Sequence, residues 1–234
     1  MKIKILFLSF LIALVPLYSG CVRSYLVHID SISDRTAQVN KVYQILPGNK
    51  DTGANDLQFK EFAGYLVKTL SIQGYRLAGA EEKAEMEIYL SYGMGEPEKH
   101  TYSYSEPVWG QTGAEIYSQS TQVNNPDNST SQQSMTYVEP QYGVTGYTTQ
   151  TGEYTSYKKY AIIDAYDIKN GVAGQKLKEI WKTSVSSSGK TKDLRKIFPA
   201  LMAASVKYIG ENTGEEISVN IGEDSETLKA IKNY

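Results

Sequence analysis

Cysteine is almost absent: Cys21 is the only one in 234 residues, so no intrachain disulfide can form. Histidine is nearly as scarce. The chain has His28 and His100 and no others, neither with a partner at metal-ligand spacing, and the expected metal and cofactor content is none. No Gly-x-Ser-x-Gly nucleophile elbow is found. Ser188-Gly189-Lys190-Thr191 mimics the end of a phosphate-binding loop, but Ser184 stands where that motif needs its first glycine. Basic residues are not in excess either. The chain past residue 20 carries 22 basic and 26 acidic residues, which removes the electrostatic case for nucleic acid. Residues 101–157 contain no Lys or Arg at all. Long apolar runs are confined to the chain's beginning, where Ile5 to Leu17 spans thirteen residues, short of the roughly 20 that a membrane-crossing helix needs.

That run is informative in its setting. Lys2 and Lys4 precede it and Ser19-Gly20 follow it, the layout of a secretory signal over residues 1–20. Ser19-Gly20-Cys21 then resembles the lipobox of bacterial lipoprotein precursors, with Tyr18 standing where Leu is usual. The resemblance implies cleavage between Gly20 and Cys21 and acylation of Cys21, by a diacylglycerol on the thiol and a fatty acid (palmitate class) on the amine. Each buried methylene contributes about 0.8 kcal/mol, so two or three chains on one residue anchor firmly. Val22 after the cysteine, rather than Asp, points to the outer membrane, facing the periplasm, by the sorting rule of enteric lipoproteins.

Residues 21–234 read as a single α+β domain. Tyr25–Asp30 and Lys41–Leu46 alternate as strands. A helix follows, capped by Asn55 or Asp56, with Leu57, Phe59, Phe62, Ala63, Leu66 and Leu70 at helical spacing and Gly74 closing it. Met86, Ile88, Leu90 and Tyr92 form a third strand ending at Gly93. Tyr160–Tyr166 reads as an apolar strand with Ile180–Val185 as its hairpin partner, Trp181 and Val185 facing inward. A helix from about Thr191 to Tyr208 should be bent or divided by Pro199, and Ile217, Val219 and Ile221 close the series. The expected order is ββαβ, excursion, ββαβ: one mainly antiparallel sheet with two helices on one face.

The excursion, about 101–157, holds eight of the 19 tyrosines and five acids among Ser, Thr, Gln, Asn and Gly. It reads as a long polar hairpin turning at Asn124–Asn128, or as a partly ordered loop. Tyr102, Tyr104, Trp109, Tyr117, Tyr137, Tyr142 and Tyr147 are the candidate binding surface, since aromatic platforms beside adaptable polar groups suit recognition. The simpler alternative is cross-strand aromatic pairing. Asp164 and Asp167 lie three apart in a strand and cannot flank one substrate. The basic residues Lys190, Lys192, Arg195 and Lys196 read as a solvated face.

Several phrases recur in an order similar to the DUF4136 domain proteins, a family of bacterial lipoproteins. They are Leu46-Pro47-Gly48, Asp56-Leu57-Gln58-Phe59, Tyr92-Gly93, Pro107-Val108-Trp109-Gly110, Ile163–Asp167, Ile180-Trp181-Lys182, Asp193-Leu194-Arg195 and Phe198-Pro199. The resemblance implies an envelope lipoprotein and brings no catalytic residue. The expected function is therefore non-catalytic. A membrane-anchored protein would contact lipid through acylated Cys21 and bind an envelope protein in assembly or maintenance, or alternatively a glycan or peptidoglycan through the tyrosine-rich segment.

Overall fold

The structure, a computed structural model, describes residues 23–36, 41–171 and 176–233. The signal and lipidation expectations, Gly20 and Cys21 included, lie outside the described residues. Among the described residues, seven strands and three helices run in the order β1 (Ser24–Ser33), β2 (Val42–Pro47), α1 (Leu57–Ile72), β3 (Arg76–Leu77), β4 (Met86–Asn124), β5 (Thr130–Asp167), β6 (Lys178–Gly189), α2 (Leu194–Ser205), β7 (Ile217–Gly222) and α3 (Glu226–Lys232).

The strands make one sheet ordered β3-β2-β4-β5-β6-β1-β7. Strand β2 pairs parallel with both β3 and β4, because α1 lies between them in the chain as a crossover. The pairings of β1 with β6 and β7, and of β5 with β6, are antiparallel.

This corrects the expected α+β layout. The described chain is 56% strand and 17% helix, in a mixed sheet with three helices rather than ββαβ repeated around an excursion. The reason lies in residues 101–157: their Tyr, Thr and Val content sustains extended backbone, so the flanking strands do not stop. The third expected strand continues past Gly93 to Asn124, and the fourth begins at Thr130. The short helix α3 was also not expected; Ser225 caps it, and Leu228 and Ile231, three apart, are its buried residues.

Two compact units result, residues 1–97 with 156–234, and Glu98–Thr155. In the first, alternation along each strand feeds one core: Val27 and Ile29 of β1, Met86, Ile88 and Leu90 of β4, Ala161, Ile163 and Ala165 of β5, and Trp181 and Val185 of β6. Helix α1 adds Phe59, Phe62, Leu66 and Leu70, and α2 adds Ile197, Phe198 and Leu201. Phe62 and Phe198 stack with centroids 3.9 Å apart and planes 4° apart, and Tyr92 meets Phe62 edge-on at 4.7 Å.

Local chemistry sets the helix ends. Asp56 accepts from the Phe59 amide at 2.9 Å, and Asp193 accepts from the Lys196 amide at 3.2 Å. Gly74, at φ +80°, closes α1 while the Tyr75 amide returns to the Leu70 carbonyl at 3.0 Å. Pro199 neither divides nor ends α2, which runs unbroken through it.

Candidate functional site

Residues 98–155 form a unit in which, among the described residues, β4 and β5 pair with no strand but each other. The registers that join these strands to β2 and β6 end at Leu90 on one side and begin at Tyr157 on the other. The two strands meet at a turn in which the Asn125 amide donates to Ser129 O at 2.9 Å and Asn128 takes φ 58°. The side chains of Asp127 and Asn125 tie the turn, Asp127 through the Ser129 amide at 3.0 Å and Asn125 through Ser129 Oγ at 3.0 Å. The Ser129 hydroxyl, donating to Asp127 at 2.6 Å, and then the Ser129 amide hold the Asp127 carboxyl below its ordinary pKa.

Among the described residues the side chains of this ribbon are almost all exposed, so it has no dry side. All seven expected surface residues are exposed: Tyr102 and Tyr104 by 49%, Tyr117 by 50%, Tyr137 by 53%, Trp109 by 70%, Tyr142 by 71% and Tyr147 by 72%. Ring contacts gather only part of the set. Tyr102 lies beside Tyr104 with centroids 6.0 Å apart and beside Tyr154 at 6.2 Å, and His100 stacks on Tyr154 at 4.8 Å. The Tyr102 ring also covers Gly152, where a Cβ would stand 2.6 Å from Tyr102 Cζ; only glycine lets the ring lie there. Tyr117 and Tyr137 bond along their own strands instead, to Glu115 and to Met135 Sδ. The seven residues are thus spread along the ribbon rather than gathered into one cluster. Sequence reasoning passed over their exposed neighbours Ile116 (70%), Val138 (63%) and Met135 (54%). Their signal was available, as isolated large apolar residues in an otherwise polar stretch. The charge is one-sided: Glu98, Glu106, Glu115, Asp127, Glu139 and Glu153 against Lys99.

Two of the grooves on the first unit lie between residues that alternate with the core positions. One, about 390 Å³, is lined by Tyr89, Ser91, Asp164 and Tyr166 among others. Asp164 is tied there to Lys182, Nζ to Oδ1 3.1 Å, and Tyr89 meets Tyr166 edge-on at 5.5 Å. The other, about 380 Å³, is lined by His28, Asp30, Tyr160, Ser184 and Glu216 among others. His28 Nδ1 lies 3.0 Å from Ser218 Oγ and 3.5 Å from Glu216. Asp30 and Asp164 therefore stand in different grooves. Asp167 starts a turn, accepting from the Lys169 and Asn170 amides at 3.0 and 3.1 Å. No group of three metal-ligating side chains occurs among the described residues.

The segment that mimics a phosphate loop has the opposite polarity. Lys159, 1% exposed, donates to the carbonyls of Gly189 at 3.2 Å and Thr191 at 2.9 Å. A phosphate cradle needs amide hydrogens converging on an anion; here carbonyl oxygens converge on a cation. Burial lowers the Lys159 pKa. In the neighbouring basic cluster, Arg195 Nε pairs with Glu61 at 2.8 Å and Lys192 lies 5.1 Å over the Tyr157 ring.

No family model matches the chain, and no curated protein matches it in sequence. Among solved structures it is similar to a PDZ domain protein from Parabacteroides distasonis, with 11% identity and a TM-score of 0.37. The match covers 86% of this chain and spans 40% of that one. Among the described residues no helix is long and apolar enough to cross a membrane.

Proposed function

We propose that the protein is a non-catalytic lipoprotein of the cell envelope, similar to the DUF4136 domain proteins, that presents its two-stranded ribbon to another envelope protein. The carrying observation is the exposure of aromatic and apolar side chains along residues 98–155, from Tyr102 at 49% to Tyr147 at 72%. A two-stranded ribbon alone is marginally stable in water, and large exposed aromatics are the side chains that anchor protein interfaces. Several of these rings belong to no core within their own unit, so a partner would be the surface that buries them. Acylated Cys21 would hold the protein at the outer membrane on its periplasmic side and confine the search for that partner to the envelope.

The test is site-specific photocrosslinking in the protein's own envelope. A crosslinking residue at Trp109, Tyr142 or Tyr147 should yield one defined adduct, and one at Leu57, 82% exposed on α1, should not. The reading fails if ribbon and helix positions give the same adducts. It also fails if purified cell wall retains the protein only while residues 101–157 are present, since a glycan would then be the ligand. Mass spectrometry of the mature amino terminus tests the anchor, which an unmodified Cys21 would refute.

A further inference from the structure

A different surface, at the far end of the sheet order, has the geometry to take an extended peptide. Among the described residues strand β7 is the last in the sheet. Its register with β1 pairs Tyr25 with Ile221, Val27 with Val219 and Ile29 with Ile217, and the Glu223 amide donates to Arg23 O at 2.8 Å. In an antiparallel pair the hydrogen-bonded positions alternate. Ile217, Val219 and Ile221 therefore spend their amides and carbonyls on β1, and Ser218 and Asn220 turn theirs to the open edge.

The edge lacks the usual defences. Ile217-Ser218-Val219-Asn220-Ile221-Gly222 contains no Lys, no Pro and no acid, and β7 is a full six residues long. Beside it lies a groove of about 210 Å³ between the end of α2 and the strand, lined by Ala203, Ala204, Val206, Val219 and Ile221 among others. Small Ala203 and Ala204 share one wall with Lys207 and Tyr208, and Val219 and Ile221 form the other, which leaves room for an apolar side chain of an added strand.

Charge decides between occupants. Glu215 and Glu216 precede the strand, and Glu223 and Asp224 follow it. A second copy pairing antiparallel through β7 would set each acidic end against the other, which is unfavourable. A segment with an apolar alternating centre and basic residues at both ends would meet acids at both ends. We infer that β7 and the groove beside it form a docking site for an extended, basic-flanked peptide of a partner protein, added as an eighth strand. This does not rest on the ribbon.

The probe is a fluorescein-labelled, end-capped peptide Lys-Lys-Thr-Val-Thr-Val-Thr-Lys-Lys, titrated by anisotropy against the full chain in detergent micelles. A companion peptide carries Glu in place of each Lys. The lysine peptide should bind about tenfold or more tightly than its companion, and less tightly as salt is raised. Asn220→Pro removes an amide that points off the sheet and none that pairs with β1, so it should abolish binding with the melting temperature unchanged. Should that variant fold poorly, the surface pair Glu215→Lys/Glu216→Lys should still weaken the lysine peptide about threefold or more. Equal binding of the two peptides would overturn the inference, as would unchanged affinity in both variants. Sedimentation showing a dimer that Asn220→Pro dissolves would also overturn it, because the edge would then belong to a second copy.

Discussion

The Phe62–Phe198 stack joins the two main helices, so its removal is the sharpest test of the core. Phe62→Ala deletes a fully buried ring that stacks on Phe198 at 3.9 Å and is met edge-on by Tyr92 at 4.7 Å. Truncating a buried Phe costs about 3–5 kcal/mol. Both ring contacts are lost together in a site walled by a sheet and a second helix, so the cost should be near the middle of that range or above, about 4 kcal/mol. That is a large share of the roughly 5–15 kcal/mol typical of a whole domain. At a urea slope of about 2 kcal/mol per molar, the midpoint should fall by about 2 M. Trp181, 2% exposed, reports on this core by fluorescence, and Trp109, 70% exposed on the ribbon, is replaced by Phe in the background to silence it. Phe198→Ala in the same background completes a double-mutant cycle, and the pair should couple by at least about 0.5 kcal/mol. A midpoint shift under about 0.7 M, or strict additivity with Phe198→Ala, would refute the claim that this stack holds the helices together.

The remaining expectations concern caps, charge and access. Asp56→Ala and Asp193→Ala each remove the side chain that accepts a first-turn amide, and each should lower unfolding stability by about 1 kcal/mol in urea titration. Tyr43 and Tyr25 are both pushed up to about 12 from 10.0, Tyr43 by burial, Tyr25 by burial and then by its bond to Glu223. A raised folded pKa means stability that is whole below pH 10 and is lost as pH climbs through about 12. Tyr75, Tyr89, Tyr92, Tyr117 and Tyr166 are raised as well. Absorbance near 295 nm should therefore show a late-ionising group of tyrosines that includes Tyr25 and Tyr43, and denaturant midpoints should fall over that same interval. Lys159, 1% exposed and bonded to two carbonyls, should be acylated by an amine reagent far more slowly than its exposed neighbour Lys158, with mass spectrometry as readout. Equal rates would place Lys159 in solvent.

Much of the first unit was legible because its signals are local. The spacing of Phe59, Phe62, Leu66 and Leu70 is a helix whatever surrounds it, and Asp56 and Gly74 mark its ends by side-chain and backbone chemistry alone. Alternation likewise put Trp181 and Val185 inside. In residues 101–157 the hairpin and its turn were legible, but its strands were not read as continuations of those of the main sheet. Low aliphatic content looked like an interruption between two sub-units, but extended backbone needs a neighbouring strand rather than a core of its own. The sequence does not say how far two strands will go on pairing once their burial ends. Strand Arg76–Leu77 and the parallel joining of β2 to β4 were equally invisible, since both depend on which distant strand lies alongside.

What the sequence by itself determined, then, is the placement of α1 and α2, the alternating apolar residues of β4, the inward Trp181 and Val185 of β6, and the tyrosine-rich, acid-only character of the excursion. These follow from periodicity and composition, which act within a few residues. Only the tertiary structure decided that the excursion is a ribbon of two strands with exposed rings. It also decided that Asp30 and Asp164 belong to different grooves, that Lys159 is buried against the carbonyls of Gly189 and Thr191, and that β7 is left with an open edge. Each of those depends on contacts between residues far apart in the chain, and sheet order, not local preference, assigns them.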